Sequence, residues 1–261
     1  METPKTGTQH EFGYEWERYP EILPHHREQF RRWIAPFREE DFAGKRFVDA
    51  GCGMGRNSFW ALSAGASGAL AIDFDERTIA SARTNLAPFP HCEVRYQSVY
   101  ELDEPEQFDI AFSIGVIHHL AEPRKAVENL VKALKPGGKL VLWVYGKEGN
   151  ELYLRVIDPL RKHLTSRIPP GATRWLSKAM TVALKGYLAL PHEREYERLL
   201  RQIGFRQLEL IVLDQLIPSI AFYWTKDETL ALIEGLGMTD VEIAHTNGMS
   251  WTLVATKGEA R

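Results

Sequence analysis

Phe47-Val48-Asp49-Ala50-Gly51-Cys52-Gly53-Met54-Gly55, residues 47–55, is the stretch on which the fold turns. Its first four residues read as a short buried strand. The three glycines that follow let the backbone turn sharply and approach a ligand that any Cβ would hold away. The third glycine falls four positions after the first, and Arg56 stands where the dinucleotide fingerprint G-x-G-x-x-G has its last glycine. A tight strand-to-helix turn that binds nothing is the alternative reading.

Outward from this loop, strands and helices alternate. Strand 47–50 leads into helix 56–64, and strand 69–73 into helix 76–87. Strand 92–97 is followed by strand 108–114, helix 123–135 and strand 139–145. Alternation at this spacing predicts parallel βαβ units in a doubly wound sheet. The C-terminus departs from it: after helix 226–236, strands 240–245 and 250–256 are joined by Thr246-Asn247-Gly248-Met249 alone, a link that fits only antiparallel neighbours. The expected fold is therefore α/β, a doubly wound, mostly parallel seven-stranded sheet with a reversed last strand.

Two regions lie outside this plan. Residues 1–10 read as a loose terminus, 11–23 as an aromatic arm and 24–38 as a helix with Pro24 at its start. Residues 147–224 read as an inserted helical cap, with helical periodicity over 152–164 and 173–190 and a Pro169-Pro170-Gly171 break between them. Residues 151–213 hold eleven Lys/Arg against six Asp/Glu. The expected organisation is an N-terminal arm and helix (1–43), a nucleoside-binding core (44–146), the cap (147–224) and a C-terminal helix with its strand pair (225–261).

Bulk properties bound the partners. A net charge of −3 provides no field directed at nucleic acid, so none is expected as a partner. With only Cys52 and Cys92 and no apolar leader in residues 1–13, a reducing, cytoplasmic setting is expected. No run reaches the roughly 18 apolar residues that span a bilayer.

The motif residues point to a nucleoside. Asp73 ends the second strand 22 residues after Gly51, where a carboxylate can accept hydrogen bonds from both ribose hydroxyls; it also reads as an exposed turn residue. Phe74 would then lie beside the adenine face. Ser98 and Val99 follow the third strand, where a side chain and a backbone N–H could meet the adenine edge, or could be ordinary strand-end residues. S-adenosylmethionine carries no pyrophosphate to seat on a helix N-terminus, so the short glycine pattern suits it, and Asp49, Gly51 and Gly53 are its expected contacts from the loop.

The ordered motifs DAGCGMG (49–55), AID (71–73), FDIAFSIGVIHHL (108–120) and LKPGGKLVLWVYG (134–146) resemble those of class I S-adenosylmethionine-dependent methyltransferases, in particular the ubiquinone-biosynthesis O-methyltransferases. The resemblance covers about residues 44–146, with the terminal strand pair in addition. It implies S-adenosylmethionine as cofactor and a cofactor contact from Ile114, which ends the fourth strand. It also implies an arginine directed at the cofactor from the N-terminal helix, at the position of Arg31; Arg27 competes for that role, and a solvated basic face is the alternative. The family carries an acidic residue before its histidine in the fourth motif, where this chain has His118-His119.

Methyl transfer is a displacement at a sulfonium that positioning accelerates, and a hydroxyl acceptor must also lose a proton. His118 and His119 are the candidate bases; since adjacent residues face different ways, at most one should point at the acceptor, and a loop-fixing role is the alternative. No metal-ligand spacing stands out. The acceptor is expected to be a small, partly apolar molecule methylated at oxygen, with nitrogen or carbon, or a non-catalytic cofactor-binding role, as alternatives. The cap's apolar stripes suit core packing or, with their surplus of Lys and Arg, a membrane surface or lipid-like substrate. Asp214, Tyr223, Trp224, Asn247 and Trp251 are candidate pocket residues among which the sequence does not choose, and it leaves the oligomeric state open.

Overall fold

A computed structural model describes residues 21–151, 153–155, 158–159, 170–190, 200–201, 204–216 and 220–259. The terminus expected over 1–10, residues 11–20 of the arm expected over 11–23, and most of the helix expected over 152–164 lie outside the described residues.

Helix α1 (His25–Ile34) precedes strand β1 (Arg46–Ala50), α2 (Arg56–Ser63), β2 (Gly68–Asp73), α3 (Glu76–Leu86) and β3 (Cys92–Tyr96). Then come β4 (Phe108–Ile114), α4 (Pro123–Ala133) and β5 (Leu134–Tyr145). The insert contributes α5 (Pro170–Leu188) and α6 (Phe205–Leu216), and the chain closes with α7 (Lys226–Ala231), β6 (Met238–Thr246) and β7 (Ser250–Lys257). The seven strands lie in the order β3-β2-β1-β4-β5-β7-β6. The first five are parallel, β7 is antiparallel to β5, and β6 is antiparallel to β7. The expected sheet with its reversed last strand is the one observed.

The larger boundary differences have local reasons. Helix α1 stops at Ile34 because Ala35, which precedes Pro36, is extended at ψ 133°. Helix α4 ends at Ala133 and β5 begins at Leu134 rather than 139; Lys135 precedes Pro136 and is steered away from helix, and a register shift between Phe108 and Ile110 absorbs the early start. Helix α7 opens with a Thr225/Glu228 capping box and lasts only to Ala231, giving way to turns before Gly235 and Gly237, both at positive φ.

Because the central strands are apolar on both faces, each face carries its own core. One gathers Val48, Leu70, Ala111 and Leu142 against Val127 and Leu130 of α4. The other packs Phe47, Ala71, Ile110 and Phe112 under Phe30 and Ile34 of α1 and Ile79 of α3. This leaves the carboxyl ends of β1, β2, β4 and β5 as the edge where the polar motif residues emerge.

Candidate functional site

At the exit of β1 the chain turns through Gly51, Gly53 and Gly55, with φ of 82°, 53° and 85°. The Gly51 and Cys52 N–H groups donate to Ile72 O at 2.8 and 2.9 Å, tying the loop to β2. A Cβ on Gly51 would lie 2.3 Å from Val116 Cγ2, and one on Gly55 2.9 Å from Leu86 Cδ1. The Asn85 side-chain amide holds the loop's far side through Met54 O at 2.9 Å. Glycine is required here for conformation and for clearance together.

Two carboxylates flank this turn. Asp73 accepts from Gly53 N at 2.9 Å and from Asp75 N at 3.0 Å, which fixes its plane at the mouth of the loop. Burial pushes its carboxyl up from the ordinary value, and the hydrogen bond from Gly53 opposes that. Asp49 is wholly buried; its Oδ2 accepts from Ser58 Oγ at 2.6 Å, while Oδ1 has no protein partner. Burial pushes Asp49 up to about 7, with the Ser58 bond opposing and the nearby Asp73 charge adding to the rise. An orphaned carboxylate oxygen at a glycine turn fits a ligand that carries a cationic group, as the amino acid end of S-adenosylmethionine does.

The remaining cofactor candidates divide. Phe74 stacks on Tyr96 with centroids 5.1 Å apart and planes 17° from parallel, forming a flat apolar wall beside Asp73. Ser98 caps a short turn, accepting from Tyr100 N at 3.2 Å, and the Val99 side chain belongs to the core. Ile114 is likewise a core side chain, 6% exposed. Arg31 and Arg27 both bind the buried carboxylate of Glu39. Burial alone would raise the Glu39 carboxyl, but hydrogen bonds from Arg27 and then Arg31 hold it below the usual range. The two arginines that compete on sequence thus share one acidic anchor, which locks α1 to residues 39–42.

The histidines take opposite environments. His118 is fully buried, stacked on Tyr145 with centroids 3.8 Å apart, and neither ring nitrogen has a protein partner. Burial drives its pKa well below the ordinary histidine value, and His119 adds to this, so it is neutral at physiological pH. His119 is half-buried, and its Nδ1 lies 2.8 Å from Ile220 O. A carbonyl can only accept, so Nδ1 carries the proton and the neutral ring has its lone pair on Nε2.

Aromatic rings surround this pair. Tyr145 packs on Tyr223 at 5.2 Å, Tyr223 on Tyr153 at 5.4 Å, and Trp143 on Trp33 at 4.9 Å. Of the five pocket candidates, Tyr223 joins this group. Trp224 pairs its backbone with Tyr145 and stacks on Phe222 instead. Trp251 stacks on His245 and donates to Glu148 Oε2 at 3.2 Å, and Asn247 occupies the β6–β7 turn at φ 54°. The Asp214 side chain lies outside the described residues. Ser58, Val116, Tyr145 and Ile220 were not singled out from sequence; each acts through a partner on a different element. Among the described residues no cluster of His, Cys, Asp or Glu could hold a metal ion.

Comparison with known proteins gives the arrangement its relatives. Residues 48–142 match the model of a family described as a methyltransferase domain. A demethylmenaquinone methyltransferase of Clavibacter sepedonicus is 28% identical over 176 residues, 64% of this chain and 68% of that protein. A tRNA U34 carboxymethyltransferase of Idiomarina loihiensis is 31% identical over 117 residues, 43% of this chain; the match spans only 36% of that protein. Among solved structures, magnesium protoporphyrin IX methyltransferase from Synechocystis PCC 6803 with bound SAH superposes with a TM-score of 0.56 at 14% identity, covering 94% of each chain. That last likeness is one of fold.

Proposed function

We propose, for a chain that is a class I S-adenosylmethionine-dependent methyltransferase resembling the ubiquinone-biosynthesis branch, that the acceptor is a small, partly apolar metabolite methylated at oxygen. The observation that carries this reading is His119: its bond to Ile220 O leaves Nε2 as a base at the aromatic end of the site. When bound, S-adenosylmethionine supplies an electrophilic methyl group on a sulfonium. Asp73 would hold the ribose hydroxyls, Gly51 and Gly53 would admit the ligand close to the backbone, and the orphaned Asp49 oxygen would answer its cationic end. Phe74 and Tyr96 provide the flat wall for adenine. His119 would take the proton of the acceptor hydroxyl, while Tyr145 and Tyr223 would exclude water and orient the acceptor. Residues 147–224 act as the cover.

S-adenosylhomocysteine is expected to raise the melting temperature, because it stabilises the native state by mass action, and NADH is not. Asp73→Ala should weaken S-adenosylhomocysteine binding by about 1–3 kcal/mol, measured by calorimetry, as the hydroxyls lose a charged acceptor. Unchanged affinity would move the ribose site elsewhere. The acceptor screen, read by mass spectrometry of the product, should include tRNA, since one relative is named for a tRNA and the insert is basic.

Asp49 adds a pH dependence. Its folded value of about 7 lies above the unfolded carboxyl value of about 3.9, so the folded state binds the proton more tightly. Without ligand, stability should fall as pH rises between those values. Binding of a cationic group needs the ionised form, so S-adenosylhomocysteine affinity should rise as pH climbs through about 7. Asp49→Asn should abolish that rise; an affinity flat with pH in the unaltered protein would remove Asp49 from the ligand site.

A further inference from the structure

Helix α5 turns one apolar stripe outward as well as packing Leu184 and Leu188 inward. Ser177, Thr181 and Leu188 are buried, and Thr181 Oγ1 donates to Ser177 O at 2.7 Å, so the Thr181 hydroxyl is satisfied within the helix. Beside them Leu184 packs with Leu188, Leu200 and Leu208. On the opposite side Trp175 is 75% exposed and Val182 62%, one stripe at i and i+7 with the exposed Ala179 between them. Lys178 and Lys185 run along the flank of this stripe, and Lys178 Nζ sits 5.2 Å from the Trp175 ring centre. Residues 170–188 contain no Asp or Glu, and just past the helix Leu190 is 58% exposed.

We propose that this face of α5 rests on an anionic lipid surface, with Trp175 and Val182 at the headgroup–acyl boundary and Lys178 and Lys185 against lipid phosphates. An indole is amphipathic and settles at that boundary, and lysine stems lie along apolar surface while their ammonium groups reach the phosphates. Charge selects this occupant over a second copy of the chain. A symmetric pairing of two α5 faces would set lysines against lysines, with no acidic residue on the helix to answer them. Among the described residues no helix is long and apolar enough to cross a membrane, so the contact lies in the plane of the interface.

The test is co-sedimentation of the full chain with vesicles of phosphatidylcholine alone and of equal phosphatidylcholine and phosphatidylglycerol. Binding is expected only to the anionic vesicles, weakening as salt is raised. Lys178→Glu with Lys185→Glu should lower vesicle affinity about thirtyfold or more, and Trp175→Ala with Val182→Ser should lower it at low salt as well. Both double variants should keep the thermal midpoint of the unaltered protein, since the four side chains are exposed or half-exposed. Absence of vesicle binding would overturn the proposal, as would equal binding to neutral vesicles. So would a concentration-dependent dimer, seen by light scattering, that Trp175→Ala disperses. None of these outcomes bears on cofactor binding or on the methylated atom.

Discussion

Replacing His119 by alanine is expected to lower turnover by about 10²–10⁴-fold, the usual contribution of a positioned general base, while S-adenosylhomocysteine affinity stays unchanged. The argument rests on the tautomer. Ile220 O accepts from Nδ1 at 2.8 Å and leaves the lone pair on Nε2. His118→Phe is the informative companion. That histidine is fully buried on Tyr145 with both nitrogens unpartnered, so a ring of similar shape keeps the stacking and removes an unmet polar group. The variant should retain turnover and match or exceed the stability of the unaltered protein. Steady-state kinetics on the two variants, with calorimetry for the cofactor, checks both expectations. Loss of activity in His118→Phe and its retention in His119→Ala would reverse the assignment.

Gly51→Ala is expected to be the most damaging single change in the cofactor loop. At φ 82° an L side chain is strained by about 1–2 kcal/mol. The added methyl would also stand 2.3 Å from Val116 Cγ2 and 2.9 Å from Val116 Cβ, too close to the backbone for a rotamer change to clear it. Overpacking of this kind costs about 1–3 kcal/mol. The protein should lose about 2–5 kcal/mol in denaturant titration, and cofactor affinity should fall more than about a hundredfold as the loop moves off Ile72 O. Val116→Ala in the same chain removes the two Cγ contacts at 2.3 and 2.7 Å but leaves Val116 Cβ at 2.9 Å and the strained φ, so it should restore part of the stability. Full rescue would mean that the conformation at Gly51 carries no strain.

These expectations show where the sequence was legible. Strand and glycine spacing revealed the sheet, its reversed strand, and the places of Gly51, Gly53 and Asp73, because each of those signals is local in the chain. Pairings across the fold were not legible. Asp49 depends on Ser58, Gly51 on Val116, and His119 on Ile220, which lies 101 residues away. Arg31 and Arg27 could not be told apart by spacing because both end on Glu39. In the insert, periodicity identified a helix but not its orientation. Trp175 and Val182 are outside, and Ser177 and Thr181 lie inside together with Leu184 and Leu188.

The insert leaves and re-enters the core at neighbouring positions. Gly146 and Trp224 form a parallel bridge, with Trp224 N donating to Tyr145 O at 3.0 Å and Lys147 N to Trp224 O at 2.9 Å. On the entry side the Asn150 amide holds Gly146 O and Met249 O, at 2.8 and 2.7 Å. Chain ends that are clamped side by side make residues 147–223 a transplantable module. A segment of any length whose ends meet at strand spacing could be spliced there, since closing a longer loop adds little entropy once its ends are fixed. On the proposed reading of residues 147–224 as the acceptor cover, exchange of this one cassette would change acceptor preference while the strands carrying the glycine loop and Asp73 keep their sequence.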